Sequence, residues 1–150
     1  MSGLFARALT AFLVLPGVVA FLVPLLLLAR GPAGVSNRWG LGPLGAGVVL
    51  LLACVREFYV AGRGTLAPWA PPTALVVTGL YQWSRNPMYV AVLLVLAGWA
   101  LTFRSWPLAV YAAVVLVGFH LRIVLHEEPW LDRTFGDSWI QYRARVPRWL

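Results

Sequence analysis

Four apolar runs, each close to the length of a membrane-crossing helix, limit what this chain can fold into. A bilayer core of roughly 30 Å takes about 20 helical residues, and the runs fall at about residues 4–29, 44–60, 87–103 and 107–125. With 61% hydrophobic and only 11% charged residues, the 150-residue chain carries too little polar surface for a soluble domain of its size. The expected fold class is an all-α integral membrane protein of about four transmembrane helices, forming a single membrane domain over residues 1–150. The first run follows Arg7 and continues through Leu28, too long for a signal-peptide core, so it reads as a retained span. Pro16 and Pro24 should kink it, because each removes an amide donor and crowds the preceding turn. Only "RSW" joins the third and fourth runs, which predicts a tight antiparallel helical hairpin.

The charges then orient the spans. All twelve basic residues are Arg, a usage that points to a GC-rich, bacterial genome, and the net charge is +7. They lie beside the apolar runs, as orientation signals do, and form no continuous patch of the kind nucleic acid requires. Arg7, Arg63, Arg85, Arg133, Arg143, Arg145 and Arg148 fall on one side, and Arg30, Arg38 and Arg104 on the other. The positive excess marks the cytoplasmic side, so both termini and the long segment 61–86 are expected there, in a bacterial inner membrane. Trp39 and Trp106 suit the outer interface; Trp69, Trp83, Trp130, Trp139 and Trp149 suit the inner one. The single cysteine, Cys54, lies mid-run and reads as a small buried hydrophobe.

Two polar stretches meet on that cytoplasmic side. The first is "YQWSRNPMYV", residues 81–90, where Pro87 opens the third helix at its first position and Asn86 becomes the N-cap. Capping and inside-positive charge alone would also account for it. The second follows the fourth run: "GFHLRIVLHEEPWLDRTFGDSWIQYRARVPRWL" places His120, Arg122, His126, Glu127 and Glu128 at or near membrane depth. Ionisable groups there are costly and point to function. On an α-helix His120 and Glu127 lie about 20° apart and Arg122 and His126 about 40° apart on another face, so no single ion-binding stripe emerges. Adjacent Glu127 and Glu128 cannot point the same way; one is expected to face the bundle and the other to pair with Arg. Glu128 or Asp132 would balance Arg133 or Arg85. His120 and His126 have no third convergent ligand at a recognised spacing, so no metal site is expected. Arg56 and Glu57 read as a snorkelling interfacial pair, with Glu57 facing the cytoplasmic pocket as the alternative. "GPLGAG" at Gly42–Gly47, with Ala97 and Gly98 in the third run, suits close helix packing.

"PPTALVVTGLYQWSRNPMYVAVLLVLAGWAL" followed by "HEEPWLDRTFGDSWIQYRARVP" resembles the isoprenylcysteine carboxyl methyltransferase family of membrane enzymes, and more distantly the phospholipid methyltransferases. The likeness covers roughly Gly64 to Pro147; the first two runs match only in being hydrophobic. It implies that S-adenosylmethionine binds on the cytoplasmic side within residues 64–147, between the segment before the third span and the helical tail after the fourth. By position, cofactor contacts fall on Thr73, Ala74, Leu75 and Val76, on Tyr81, on Asn86, Pro87, Met88 and Tyr89, and on Glu127. Asn86 stands where the family often has His, and Trp139 where it commonly has Tyr. The substrate-contacting Arg of some members aligns with Ile123; Arg122, one residue earlier, is the catalytic and substrate-binding candidate, with His126 beside it.

These residue types suit the chemistry that the resemblance implies. A carboxylate can accept from the cofactor's ammonium or ribose, free amides at a helix start can donate to its carboxylate, and Tyr rings can pack on adenine or sulfonium. The bilayer would deliver a lipidic or isoprenoid acceptor, with carboxyl O-methylation favoured, and a homo-oligomer could complete the pocket. Phe135, Trp139 and Tyr142 recur near helical spacing and suit a lid over the adenosine end, or an interfacial amphipathic helix. The rival readings are an NADPH-dependent membrane reductase and a non-enzymatic scaffold or transporter subunit.

Overall fold

The computed structural model describes residues 13–31, 37–60 and 74–150, and all regular structure among them is helical. A π-helical segment Leu13–Leu22 runs into α1 (Val23–Arg30), and a short 3-10 turn, Arg38–Gly40, leads into α2 (Leu41–Val60). A second 3-10 turn, Gly79–Gln82, precedes α3 (Pro87–Phe103), followed by α4 (Trp106–Arg122). A π-helical turn, Ile123–Glu127, joins α4 to α5 (Glu128–Phe135), and α6 (Asp137–Arg145) follows. Two of these stretches, Arg38–Glu57 and Trp106–Phe135, are long and apolar enough to cross a membrane, and two shorter ones, Pro16–Arg30 and Pro87–Phe103, are apolar. Residues 4–12 of the first predicted span, together with Arg7, Arg63, Trp69 and Thr73, lie outside the described residues.

α2 and α3 form the central antiparallel pair. Lipid tails are as apolar as the side chains they would replace, so helices in a bilayer gain by close packing rather than by leaving water. Gly47 and Gly98 permit that approach: a Cβ on Gly47 would lie 2.7 Å from the Val95 amide, and one on Gly98 2.5 Å from the Leu44 backbone. Gly42 and Gly45 face open space, so only part of the "GPLGAG" stretch serves packing. The core of Ala20, Leu51, Ala91, Val92, Val95 and Leu96 sits around this seam. Cys54 is fully buried, as expected of a small hydrophobe.

The prolines of the first helix are accommodated in a specific way. Pro24 has no amide to give Ala20, its α-helical acceptor, or Val19, its acceptor five residues back in π geometry. Both carbonyls are covered from neighbouring helices: Trp99 Nε1 donates to the Ala20 oxygen at 3.1 Å and the Tyr111 hydroxyl to the Val19 oxygen at 3.0 Å. Side chains thus replace the hydrogen bonds that proline removes, as an apolar surrounding demands.

The α3–α4 hairpin is as tight as "RSW" predicts, with Arg104 in the left-handed region (φ 46) and its amide closing on the Ala100 oxygen. At the same end the Asn37 amide donates to the Thr102 oxygen at 2.6 Å, and Trp39 and Trp106 are exposed. The opposite end holds segment 74–86, the π turn, α5, α6 and the residues after it. The apolar helix continues past the predicted limit at 125 to Phe135, about 45 Å at 1.5 Å per residue, so its final turns exceed a ~30 Å hydrocarbon core.

Trp99→Phe should lower stability by about 1–2 kcal/mol, because it orphans the Ala20 carbonyl; Pro24→Ala, which restores a backbone donor, should recover most of it. Thermal unfolding in detergent of the two single variants and the double variant tests this coupling. Gly98→Leu should cost about 1–3 kcal/mol or more by forcing α2 and α3 apart, whereas Gly45→Leu should be tolerated in the same assay.

Candidate functional site

Two carboxylates organise the charged end. Glu127 accepts from the Tyr89 hydroxyl and from Arg122 Nε, the latter at 2.8 Å. Tyr89 comes from the first turn of α3 and also packs on Phe119, with ring centroids 4.3 Å apart. Glu128 takes a bidentate fork from Arg148, Nε to Oε1 and Nη2 to Oε2 at 2.8 Å each, and a third bond from Arg85 Nη1 at 3.0 Å. The adjacent glutamates do diverge as expected, but both pair with Arg.

The π turn explains why Arg122 and Glu127 meet. Counting at 100° per residue puts positions five apart about 140° away from each other, and predicts no contact. Ile123–Glu127 instead winds with bonds spanning five residues, which brings residues at that spacing onto one side. His126 is exposed and enters neither carboxylate's set of bonds.

Asn86 occupies the N-cap position, and its carbonyl accepts the first helical bond from the Val90 amide. Its side chain does not cap the helix, contrary to expectation; Nδ2 donates to the Arg148 carbonyl at 2.9 Å. Ser84 Oγ takes over part of the local work by accepting from the Asn86 amide at 3.1 Å. With no side-chain cap, the amides at the start of α3 keep the positive end of the helix dipole open.

Arg85 is more than an orientation charge. Its side chain is 12% exposed, pairs with Glu128 and lies 5.4 Å from the centroid of the buried Trp139 ring. Burial pulls its guanidinium below the ordinary value, against the opposing pull of Glu128. Trp139, assigned from sequence to the membrane interface, is instead 1% exposed and packs with Tyr142 and Val146 against Leu75, Leu131 and Phe135. The Tyr142 hydroxyl donates to the Tyr81 carbonyl at 2.7 Å, and burial pushes its phenol up to about 12, so it stays a neutral donor.

The remaining predicted positions divide between these contacts. Val76, Tyr81 and Met88 gather with Cys54 and Leu80; Leu75 joins the Trp139 cluster; Ala74 is exposed; Pro87 is buried at the start of α3. Leu75 also lines a cleft of about 610 Å³ shared with Val77, Gln82, Ser138, Gln141, Tyr142, Arg145 and Val146. Glu57 reaches this region too: it pairs with exposed Arg56 at 3.1 Å and accepts from Thr78 Oγ1 at 3.0 Å. Gly79 (φ 58) lies directly against it, where a Cβ would sit 2.7 Å from the Glu57 carboxyl carbon. Sequence reasoning missed Arg148, Tyr142 and Thr78 as partners. In the sequence Arg148 reads only as one of the orientation charges on the positive side, and no local signal pairs it with Glu128.

Among the described residues, an all-α apolar bundle with its ion pairs gathered at one end is consistent with an integral membrane protein. The sequence model described as phospholipid methyltransferase matches residues 39–138, and the chain belongs to that family. The match extends the likeness back through α2, beyond the stretch from Gly64 to Pro147 that the motifs cover. Among curated relatives, a protein-S-isoprenylcysteine O-methyltransferase of Schizosaccharomyces pombe is 33% identical over 73 residues, 49% of this chain and 31% of that protein. Protein-S-isoprenylcysteine O-methyltransferase B of Arabidopsis thaliana is 27% identical over 120 residues, 76% of this chain and 61% of its own length. These relatives bear out the resemblance to the isoprenylcysteine methyltransferases; the chain spans about a third and three-fifths of their lengths. No solved structure matches it significantly.

Arg85→Met should cost about 1–3 kcal/mol of stability, since it removes one of the donors to a mostly buried carboxylate. Trp139→Leu should cost a similar amount, and the double variant should cost less than the sum if the guanidinium and the ring act together. Thermal unfolding of the set in detergent measures that coupling.

Proposed function

We propose that the chain is an S-adenosylmethionine-dependent methyltransferase acting on a lipidic or isoprenoid-type acceptor at the cytoplasmic membrane face, with a carboxyl oxygen as the favoured nucleophile. The observation that carries this reading is the Tyr89–Glu127–Arg122 cluster, joined across α3 and α4 beside the uncapped start of α3. Family membership and the names of the relatives support the reaction class. Four spans are part of the proposal, with the shorter helices Pro16–Arg30 and Pro87–Phe103 crossing beside the two long ones. So is the orientation, with Arg85, Arg133, Arg143, Arg145 and Arg148 on the cytoplasmic side.

The residues present fit such a cofactor. Glu127 offers a half-buried carboxylate for an ammonium or ribose, and the first amides of α3 suit a carboxylate. Leu75, one of the positions the family likeness assigns to the cofactor, opens onto the cleft shared with Gln82 and Gln141. S-adenosylmethionine, when bound, supplies an electrophilic methyl group on a sulfonium. The chain's work is then alignment and exclusion of water.

Arg122 is the residue assigned to the acceptor. It is half-exposed on a helix face where Leu121 and Leu125 are also exposed, so an amphiphile arriving from the bilayer meets a guanidinium flanked by apolar side chains. A carboxylate acceptor is already a nucleophile and needs only this positioning. An amine acceptor would require a base, with Glu128 and His126 the residues near enough in sequence; Glu128 is held by two Arg side chains, which favours the carboxylate reading.

Calorimetric titration with S-adenosylhomocysteine and, separately, NADPH decides among the methyltransferase, reductase and scaffold readings. Binding of the first alone is expected; folded protein that binds only NADPH, or neither, overturns the proposal. Glu127→Ala and Tyr89→Ala should each weaken S-adenosylhomocysteine by about tenfold or more, roughly 1.4 kcal/mol. Arg122→Ala should leave that affinity within a few fold and lower turnover of an anionic lipid acceptor; normal cofactor binding by both site variants would remove these residues from the pocket.

A further inference from the structure

The residues after α6 carry an arrangement that the proposed methyl transfer does not yet use. Val146–Trp149 crosses the start of α3 as a strap. Its main chain accepts three donors from the preceding loop: the Arg85 amide to the Pro147 oxygen at 2.9 Å, and Asn86 Nδ2 and Ser84 Oγ to the Arg148 oxygen at 2.9 and 3.4 Å. On the other side the Arg148 guanidinium forks onto Glu128 at the start of α5. Val146 is its buried apolar anchor, and Trp149 stacks over His120 with centroids 6.3 Å apart.

We propose that Arg148 is a positioning residue of this site, latching the strap to Glu128 so that its carbonyls hold Arg85 and Asn86 in place beside the first turn of α3. The inference rests on the reading of this end of the bundle as a cofactor site. Any residue at position 148 offers the carbonyl that Asn86 and Ser84 use. What arginine adds is a planar fork matched to a carboxylate, which fixes direction as well as distance. The Arg148 guanidinium is about a third exposed, unlike the mostly buried Arg85, so solvent screens its attraction and its loss costs less stability than it costs in fixed geometry. Beyond Val146 and Trp149 the strap is held by polar contacts, so it can open locally without the bundle unfolding. Its release would free the Asn86 amide group and remove one partner from the carboxylate that also holds Arg85. The latch therefore controls the order of the loop that the proposed cofactor must meet.

Amide hydrogen exchange and S-adenosylhomocysteine titration of wild type, Arg148→Ala and Arg148→Lys test this directly. In Arg148→Ala, exchange in peptides covering 84–86 and 146–150 should accelerate about tenfold or more, equivalent to ~1.4 kcal/mol of lost local protection. α2 and the interior of α3 should exchange as in wild type, and the melting point should move by only a few degrees. S-adenosylhomocysteine affinity should fall about tenfold in Arg148→Ala, with Arg148→Lys intermediate because it keeps charge without the fork. Unchanged exchange over 84–86, or loss of protection throughout the bundle, overturns the latch. Wild-type protein that does not bind S-adenosylhomocysteine sinks the methyltransferase reading alone, and the exchange arm still decides whether Arg148 holds the strap.

Discussion

The Glu128 carboxylate is the point on which the charged end of this protein converges. Arg85 reaches it from the loop before α3, Arg148 from the strap after α6, and Glu128 itself opens α5. Three segments far apart in sequence are thereby fixed to one another. Such a group would be unfavourable within hydrocarbon; here two arginines supply its donors, and from Trp106 the helix has already risen more than ~30 Å before it reaches Glu128. Glu127, one residue earlier, performs the equivalent task across α3 and α4 through Tyr89 and Arg122.

These pairs require a stiff support, which the apolar half of the molecule supplies by shape rather than by chemistry. Gly47 and Gly98 let α2 and α3 approach until backbone meets backbone, and Trp99 and Tyr111 cover the carbonyls left by Pro24. The irregular backbone is thus confined to places where another helix satisfies it. At the far end of α2, Glu57 holds Thr78 against the bundle, and Gly79 turns the chain toward Tyr81 in a left-handed conformation. The loop that carries Asn86 begins from that fixed point.

Much of the fold was legible in the sequence because its causes are local. Apolar length predicts the helices, Pro87 marks the start of α3, and a connection as short as "RSW" permits only a hairpin. The paired motifs around Asn86 and Glu127 were legible as a family likeness. The contacts within the site were less so. Regular α-helical counting separated Arg122 from Glu127, and only the π turn between them reverses that conclusion. Asn before Pro is a strong capping signal, yet the Arg148 carbonyl, 62 residues away, takes the Asn86 side chain. Trp139 has the composition of an interfacial anchor and is instead buried beneath Arg85.

The sequence alone determined that this chain forms apolar helices, that its positive charge collects at one end, and that two polar motifs flank a helical hairpin. Those properties follow from hydrophobic length, proline and charge, which act over a few residues. The tertiary structure decided which arginine serves which glutamate, that the residues after α6 return across the start of α3, and that Asn86 holds the strap rather than its own helix. Each of those outcomes depends on the direction of a side chain after remote segments have packed. A one-residue change in helical winding rotates such a side chain by about 100°, and no local sequence signal announced where that winding would change.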